Sequence, residues 1–145
     1  MISKSLEDTE KAAGDFLSHL IPRAEGATIV RLAGDLGSGK TTFVRCAAGI
    51  LGARPEEVTS PTFVIMKSYS LKLVTCDFKT LVHIDAYRLD DPRDAEKLRL
   101  AEVFADPRNL VFIEWPEKIA AHMPQKAATI SFRFIDENTR EIEVQ

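Results

Sequence analysis

The chain has 145 residues, 45% hydrophobic and 28% charged, with 19 Lys+Arg against 22 Asp+Glu and a net charge of −3. These values suit one globular domain with an ordinary core, and they exclude a disordered chain, a collagen-like repeat and a coiled coil. A pI near 5.6 argues against a stand-alone nucleic-acid binder, which carries a basic domain or stripe.

The opening Met1–Asp8 has no apolar core of a signal peptide. Ser5 and Asp8 fit the S/T-x-x-D/E start of a helix, and Ala12, Ala13, Phe16, Leu17 and Leu20 follow at helical spacing. Pro22 and Gly26 end it. Ala27–Ala33 reads as a buried strand interrupted by Arg31, Gly34–Gly39 as a glycine-rich turn, and Lys40–Leu51 as a helix closed by Gly52 and Pro55. Ser60-Pro61 marks a turn before a strand over Thr62–Tyr69. Leu71–Thr75 and Leu81–Asp85 are further candidate strands, with Cys76–Thr80 as a loop. Pro92 precedes a single helix over Arg93–Phe104, with Ala95, Leu98, Val103 and Phe104 inward; Pro107 ends it.

Leu110–Ile113 is a short, wholly apolar strand of the kind found in parallel sheets covered on both faces. It and Phe63–Met66 are the longest apolar runs, far short of the roughly 18 residues that span a bilayer. Pro116–Ala121 has room for one helical turn. Ala128–Ile135 and Glu141–Val144 alternate apolar and polar around Asp136-Glu-Asn-Thr, a terminal hairpin. The expected fold is α/β: a largely parallel sheet flanked by helices, with a C-terminal β-hairpin, in a single domain over residues 1–145. Cys46 and Cys76 are too few for a disulfide framework and agree with a reduced, cytosolic setting.

Gly34-Asp35-Leu36-Gly37-Ser38-Gly39-Lys40-Thr41 matches G-x-x-x-x-G-K-[ST], between a strand and a helix as that motif requires. Its glycines let successive N–H groups turn inward as an anion nest, and the following helix adds its positive dipole end. Lys40 is the side chain for the β- and γ-phosphates, and Thr41 the hydroxyl for Mg²⁺. One charge pair at 4 Å contributes about 4 kcal/mol at an effective dielectric of 20, so several donors hold a triphosphate. The loop by itself leaves the reaction open. No N-K-x-D guanine motif is present, and no arginine-rich lid of a small-molecule kinase.

A second metal contact and a group to position water are expected at the C-terminal ends of parallel strands. Asp85 ends Leu81-Val-His-Ile-Asp, and Glu114 directly follows Leu110–Ile113. The plainer alternatives are a turn or an Arg88 partner for Asp85, and a Lys118 partner for Glu114. Trp115 belongs either to the core or to the nucleotide region. His83 shares Asp85's face of the strand and reads as a structural histidine. Arg88, Arg93, Lys97 and Arg99 read as a solvated helix face.

Taken together, Gly34–Phe43, Ser60-Pro-Thr-Phe63, His83-Ile-Asp-Ala-Tyr-Arg-Leu89 and Ile113-Glu-Trp-Pro116 resemble the TsaE (YjeE) family, in the family's order and over nearly the whole chain. Ser5-Leu-Glu-Asp-Thr9 resembles the family's opening. The resemblance implies a P-loop fold and weak ATP hydrolysis with Mg²⁺. It also implies work with the partner proteins TsaB and TsaD on threonylcarbamoyladenosine beside the anticodon of ANN-decoding tRNAs, with tRNA met through the complex. Carried onto this sequence, it implies that Lys40 binds phosphate, that Thr41 and Glu114 ligate Mg²⁺, and that Asp85 serves the hydrolytic centre, giving Asp85, Lys40 and Glu114 as the catalytic set. It implies nucleotide contacts from Glu10, Asp35, Leu36, Gly37, Ser38, Gly39, Lys40, Thr41, Thr42, Thr62 and Trp115. Ser38 stands where the family more often has Ala, and the stretch from Ser60-Pro61 to His83 is longer than usual. A small-molecule kinase and a nucleotide-sensing module with negligible turnover are the competing classes. Phosphate release with and without TsaB–TsaD separates the accessory ATPase from the sensor, and a phosphorylated acceptor marks the kinase.

Overall fold

The computed structural model describes residues 1–54, 65–73 and 77–145. The expected turn at Ser60-Pro61, together with Thr62 and Cys76, lies outside them. In chain order the elements are β1 (Ile2–Ser3), α1 (Leu6–His19), β2 (Thr28–Ala33), α2 (Lys40–Ile50), β3 (Met66–Ser70), β4 (Thr80–Asp85), α3 (Pro92–Lys97), α4 (Leu100–Ala105), β5 (Asn109–Glu114), a 3-10 helix (Pro116–His122), β6 (Ala128–Phe134) and β7 (Arg140–Val144). The strands form one seven-stranded sheet ordered β1-β7-β6-β2-β5-β4-β3. Its four central strands, β6, β2, β5 and β4, are mutually parallel, and the antiparallel pairings lie at the edges.

The continuous apolar runs occupy the sheet's centre because β2 and β5 are covered on both faces. On one face α1 and α2 pack over Val30, Leu32, Leu110, Phe112 and Ile130. Phe43 is the hub there, edge-on to Phe16, Phe112 and Phe132 with ring centroids 6.1, 6.3 and 5.5 Å away. Truncating such a buried ring costs about 3–5 kcal/mol. On the other face Ile29, Val82, Ile84, Val111 and Ile113 meet Ala95, Leu100 and Ile119. Arg31, the interruption in β2, projects to that side and donates from Nη2 to the Pro124 carbonyl at 3.0 Å.

The start of α1 is as expected: the Asp8 amide donates to Ser5 Oγ at 3.1 Å. The Asp8 carboxylate reaches back one residue further than a standard capping box, accepting from the Lys4 amide at 2.8 Å. The helix ends at His19, before Pro22. The terminal hairpin is present as β6 and β7.

Two expectations fail locally. The single helix over Arg93–Phe104 is two short helices, broken where Arg99 takes φ 52°. The break lets Leu100 turn into the core, a tertiary gain that outweighs local helical periodicity. Leu71–Leu73, expected to begin a strand, form none. Instead the Leu71 amide donates to the Lys79 carbonyl just beyond the end of β3. No helix among the described residues is long and apolar enough to cross a membrane.

Candidate nucleotide site

β2 delivers the chain to the glycine-rich turn, and α2 begins where that turn ends. At Gly34 the backbone passes so close to β6 that a Cβ would lie 2.3 Å from the Phe132 carbonyl and 2.9 Å from Ser38 Oγ. Gly39 caps α2 in the left-handed region, φ 104°, a conformation other side chains rarely adopt. The first helical hydrogen bond runs from the Phe43 amide to the Gly39 carbonyl. The N–H groups of Lys40, Thr41 and Thr42 therefore have no partner within the helix and present the positive end of α2.

Lys40 is only 4% exposed. Its ammonium donates to the Gly34 and Asp35 carbonyls at 2.6 and 2.8 Å and sits 4.8 Å from the centre of the Trp115 ring. Burial lowers its pKa, opposed by the charges of Glu114, Asp85 and Asp35. A cation is thus held at the loop by weak neutral acceptors and an aromatic face, a setting that favours approach of an anion.

Parallel registry puts the two expected carboxylates side by side, since Asp85 of β4 is opposite Glu114 of β5. Glu114 is buried. Its Oε1 accepts from the Thr41 hydroxyl at 2.7 Å and from His83 Nε2 at 2.9 Å. Burial pushes the Glu114 carboxyl up, but His83, the Thr41 hydroxyl and the Lys40 charge together hold it below its ordinary value. Asp85 is half-buried, and burial raises its carboxyl above the usual range, against the lowering effect of the Tyr87 amide that donates to Oδ1 at 3.1 Å. That bond closes the expected strand-end turn. Lys118, the alternative partner for Glu114, is 2.9 Å from Asp90 instead.

These groups share one cleft of about 520 Å³, lined by Leu36 through Thr42, Ile65, Asp85, Tyr87, Arg88, Glu114 and Trp115. The structure brings Leu36, Gly37, Ser38, Gly39, Lys40, Thr41, Thr42, Asp85, Glu114 and Trp115 together there. Asp35 contributes its carbonyl to Lys40, and the rest of the residue faces a smaller hollow with Trp115 and Glu117. Glu10 is not brought to this cleft: it is exposed on α1, near enough to Cys46 of α2 to raise that thiol's pKa, an effect second to burial. Thr62 lies outside the described residues.

Residues 3–142 match the family described as "Threonylcarbamoyl adenosine biosynthesis protein TsaE". The chain belongs to the TsaE family. Among its relatives, the Treponema pallidum protein named "tRNA threonylcarbamoyladenosine biosynthesis protein TsaE" is 36% identical over 143 residues, covering 99% of this chain and 97% of that one. A Rickettsia bellii protein of the same name is 34% identical, with 96% and 89% covered. The crystal structure of Bacillus subtilis YdiB is similar over 99% of this chain and 82% of its own, with a TM-score of 0.71 at 27% identity. The fold is thus the P-loop fold of TsaE, as the resemblance implied.

Three further features shape this TsaE site. His83 is a direct partner of Glu114. Trp115 takes φ 57°, a strained backbone for a large residue, which costs on the order of 1–3 kcal/mol; its ring packs 5.1 Å from Tyr87, centre to centre. Arg140 of β7 donates from Nε to the Gly37 carbonyl at 3.3 Å and from Nη1 to the Asp136 and Thr139 carbonyls, tying the hairpin to the loop. Of these, only the short spacing of His83 from Asp85 left a trace in the sequence.

The donor set suits a hard divalent cation. A hydroxyl and a carboxylate oxygen meet at 2.7 Å beside an anion-attracting loop, and Mg²⁺ favours one or two such oxygens completed by water and phosphate.

Proposed function

We propose that this chain is a Mg²⁺-dependent ATPase, slow on its own, that serves threonylcarbamoyladenosine modification of tRNA in a complex with TsaB and TsaD. The names of the relatives support the pathway. The convergence of Lys40, Thr41, Asp85 and Glu114, from three separate segments, on one cleft supports the ATPase.

In this reading the amides of the loop and of Lys40–Thr42 cradle the phosphates, and Lys40 exchanges its carbonyl partners for the β- and γ-oxygens. Thr41 and Glu114 hold Mg²⁺, which supplies neutralisation of phosphate charge when bound. Asp85, less committed to hydrogen bonds than Glu114, orients the attacking water. Trp115 and the loop from Asp35 to Thr42 border the nucleotide. The family resemblance adds Glu10 and Thr62 as nucleotide contacts. The whole chain acts as one P-loop domain, in the cytoplasm, and meets tRNA through its partners.

The test is phosphate release from ATP and threonylcarbamoyladenosine formation in a reconstituted system, with and without this protein. The reading requires both to depend on it. Modification at full yield without it contradicts the role. A phosphorylated small molecule among the products contradicts the reaction.

A further inference from the structure

His83 is the one polar side chain of β4 that lies fully within the sheet, 1% exposed and opposite Phe112 of β5. On its face of the strand it stands between Leu81, which joins the aromatic core under α1 and α2, and Asp85 at the strand end. An aliphatic residue would fill such a position without the desolvation cost of an imidazole. The cost is real here, because Nδ1 is buried with no hydrogen-bond partner among the described residues. The compensation is a single contact: Nε2 to Glu114 Oε1, at 2.9 Å.

A carboxylate accepts and does not donate, so the proton of that contact is on Nε2. The same Oε1 accepts the Thr41 hydroxyl at 2.7 Å. One oxygen is therefore gripped from two sides, by α2 and by β4, and the plane of the carboxylate is set by both. Because the Thr41 proton is directed at Glu114, the lone pairs of Oγ1 are turned away from it and are free to meet a cation.

We propose that His83 is a positioning residue for the Thr41–Glu114 metal pair, holding Glu114 in the rotamer that keeps both oxygens convergent. It touches neither nucleotide nor metal. The inference rests on the reading of Thr41 and Glu114 as Mg²⁺ ligands and adds a specific partner to it. Loss of a group that orients a metal ligand typically lowers metal affinity 10–100-fold.

The experiment is a Mg²⁺ titration of the binding of a non-hydrolysable ATP analogue to the full chain, repeated in EDTA. The variants are His83→Leu, His83→Gln, Glu114→Ala and the double variant His83→Leu/Glu114→Ala. His83→Leu is expected to need about 10–100-fold more Mg²⁺, with metal-free binding unchanged. His83→Gln, whose amide can still donate, is expected to recover most of the loss. In the double variant the two defects are expected not to multiply, because His83 acts through Glu114.

A wild-type Mg²⁺ requirement in His83→Leu alongside a defective Glu114→Ala overturns this inference alone. So does full multiplication of the two defects. A normal Mg²⁺ requirement in Glu114→Ala overturns the metal-ligand reading and this inference with it. Imidazole nitrogen resonances of the wild type supply a readout that survives any misfolding of the variants. A proton on Nε2, and a shift of that signal on adding Mg²⁺ with the analogue, are expected; a ring protonated on Nδ1 alone overturns the proposal.

Discussion

The ends of β4 and β5 carry neighbouring carboxylates in the same registry, yet the two sit in opposite environments. Glu114 is buried and gripped by two side-chain donors, which hold its carboxyl low despite burial. Asp85 is half-buried with one backbone donor, and burial leaves its carboxyl high. Two acids one strand apart are thereby made unlike: one is a fixed anion suited to a cation, the other a more adaptable group suited to water. The difference comes from what faces each strand end. α2 brings Thr41 onto Glu114, whereas Asp85 opens onto the Tyr87–Arg88 side of the cleft.

The largest effect is expected from the residue both carboxylates face. Lys40→Ala should abolish useful hydrolysis and most ATP affinity, measured by calorimetry and phosphate release, while leaving circular dichroism unchanged. Normal ATP binding by the folded variant would remove the shared electrostatic centre of the comparison. Next, Asp85→Asn should bind ATP nearly normally and lose on the order of 10²–10³ in turnover, as removal of a transition-state group does. Glu114→Ala and Thr41→Ala should differ in kind, losing Mg²⁺-dependent affinity much more than affinity in EDTA. Equal losses in both media would make Glu114 structural and erase the contrast with Asp85.

A smaller effect concerns stability of the metal-free protein. Asp85 has a folded-state pKa raised by burial, so its contribution is fully present below the ordinary aspartate pKa and is lost as pH rises through the folded value. Glu114 is lowered, so its contribution is present above the ordinary glutamate pKa and is lost as pH falls through the folded value. Thermal melts in EDTA should therefore show Asp85→Asn more stable than wild type at neutral pH and Glu114→Gln less stable. The Glu114→Gln deficit should shrink in acid. Same-sign effects at neutral pH would mean the two sites are electrostatically alike.

Much of this was legible from residues alone. The loop, its flanking strand and helix, and both strand-end acids follow from composition and local spacing, because glycine geometry and continuous apolar runs are local properties. What stayed hidden depends on registry and long-range approach. The His83–Glu114 bond exists because two strands pair in parallel, and the Arg140–Gly37 bond because the last hairpin returns to the loop. The break at Arg99 was hidden for the same reason: the segment's helical pattern is continuous, and only burial of Leu100 across the sheet rewards the left-handed turn. Exposed pairs such as Arg93–Asp91 and Lys97–Asp94 fit the solvated face expected there, and contribute about 0–1 kcal/mol each.

In the proposed function the cleft turns over ATP, Asp85 acts in that step, and the partner complex completes the site. The most direct measurement is the rate of phosphate release by wild type and Asp85→Asn, each with and without TsaB–TsaD and Mg²⁺. Wild type should be slow alone and stimulated by the partners, and Asp85→Asn should stay near its basal rate in their presence. Full stimulation of Asp85→Asn would contradict the account and return Asp85 to a turn residue capping the Tyr87 amide.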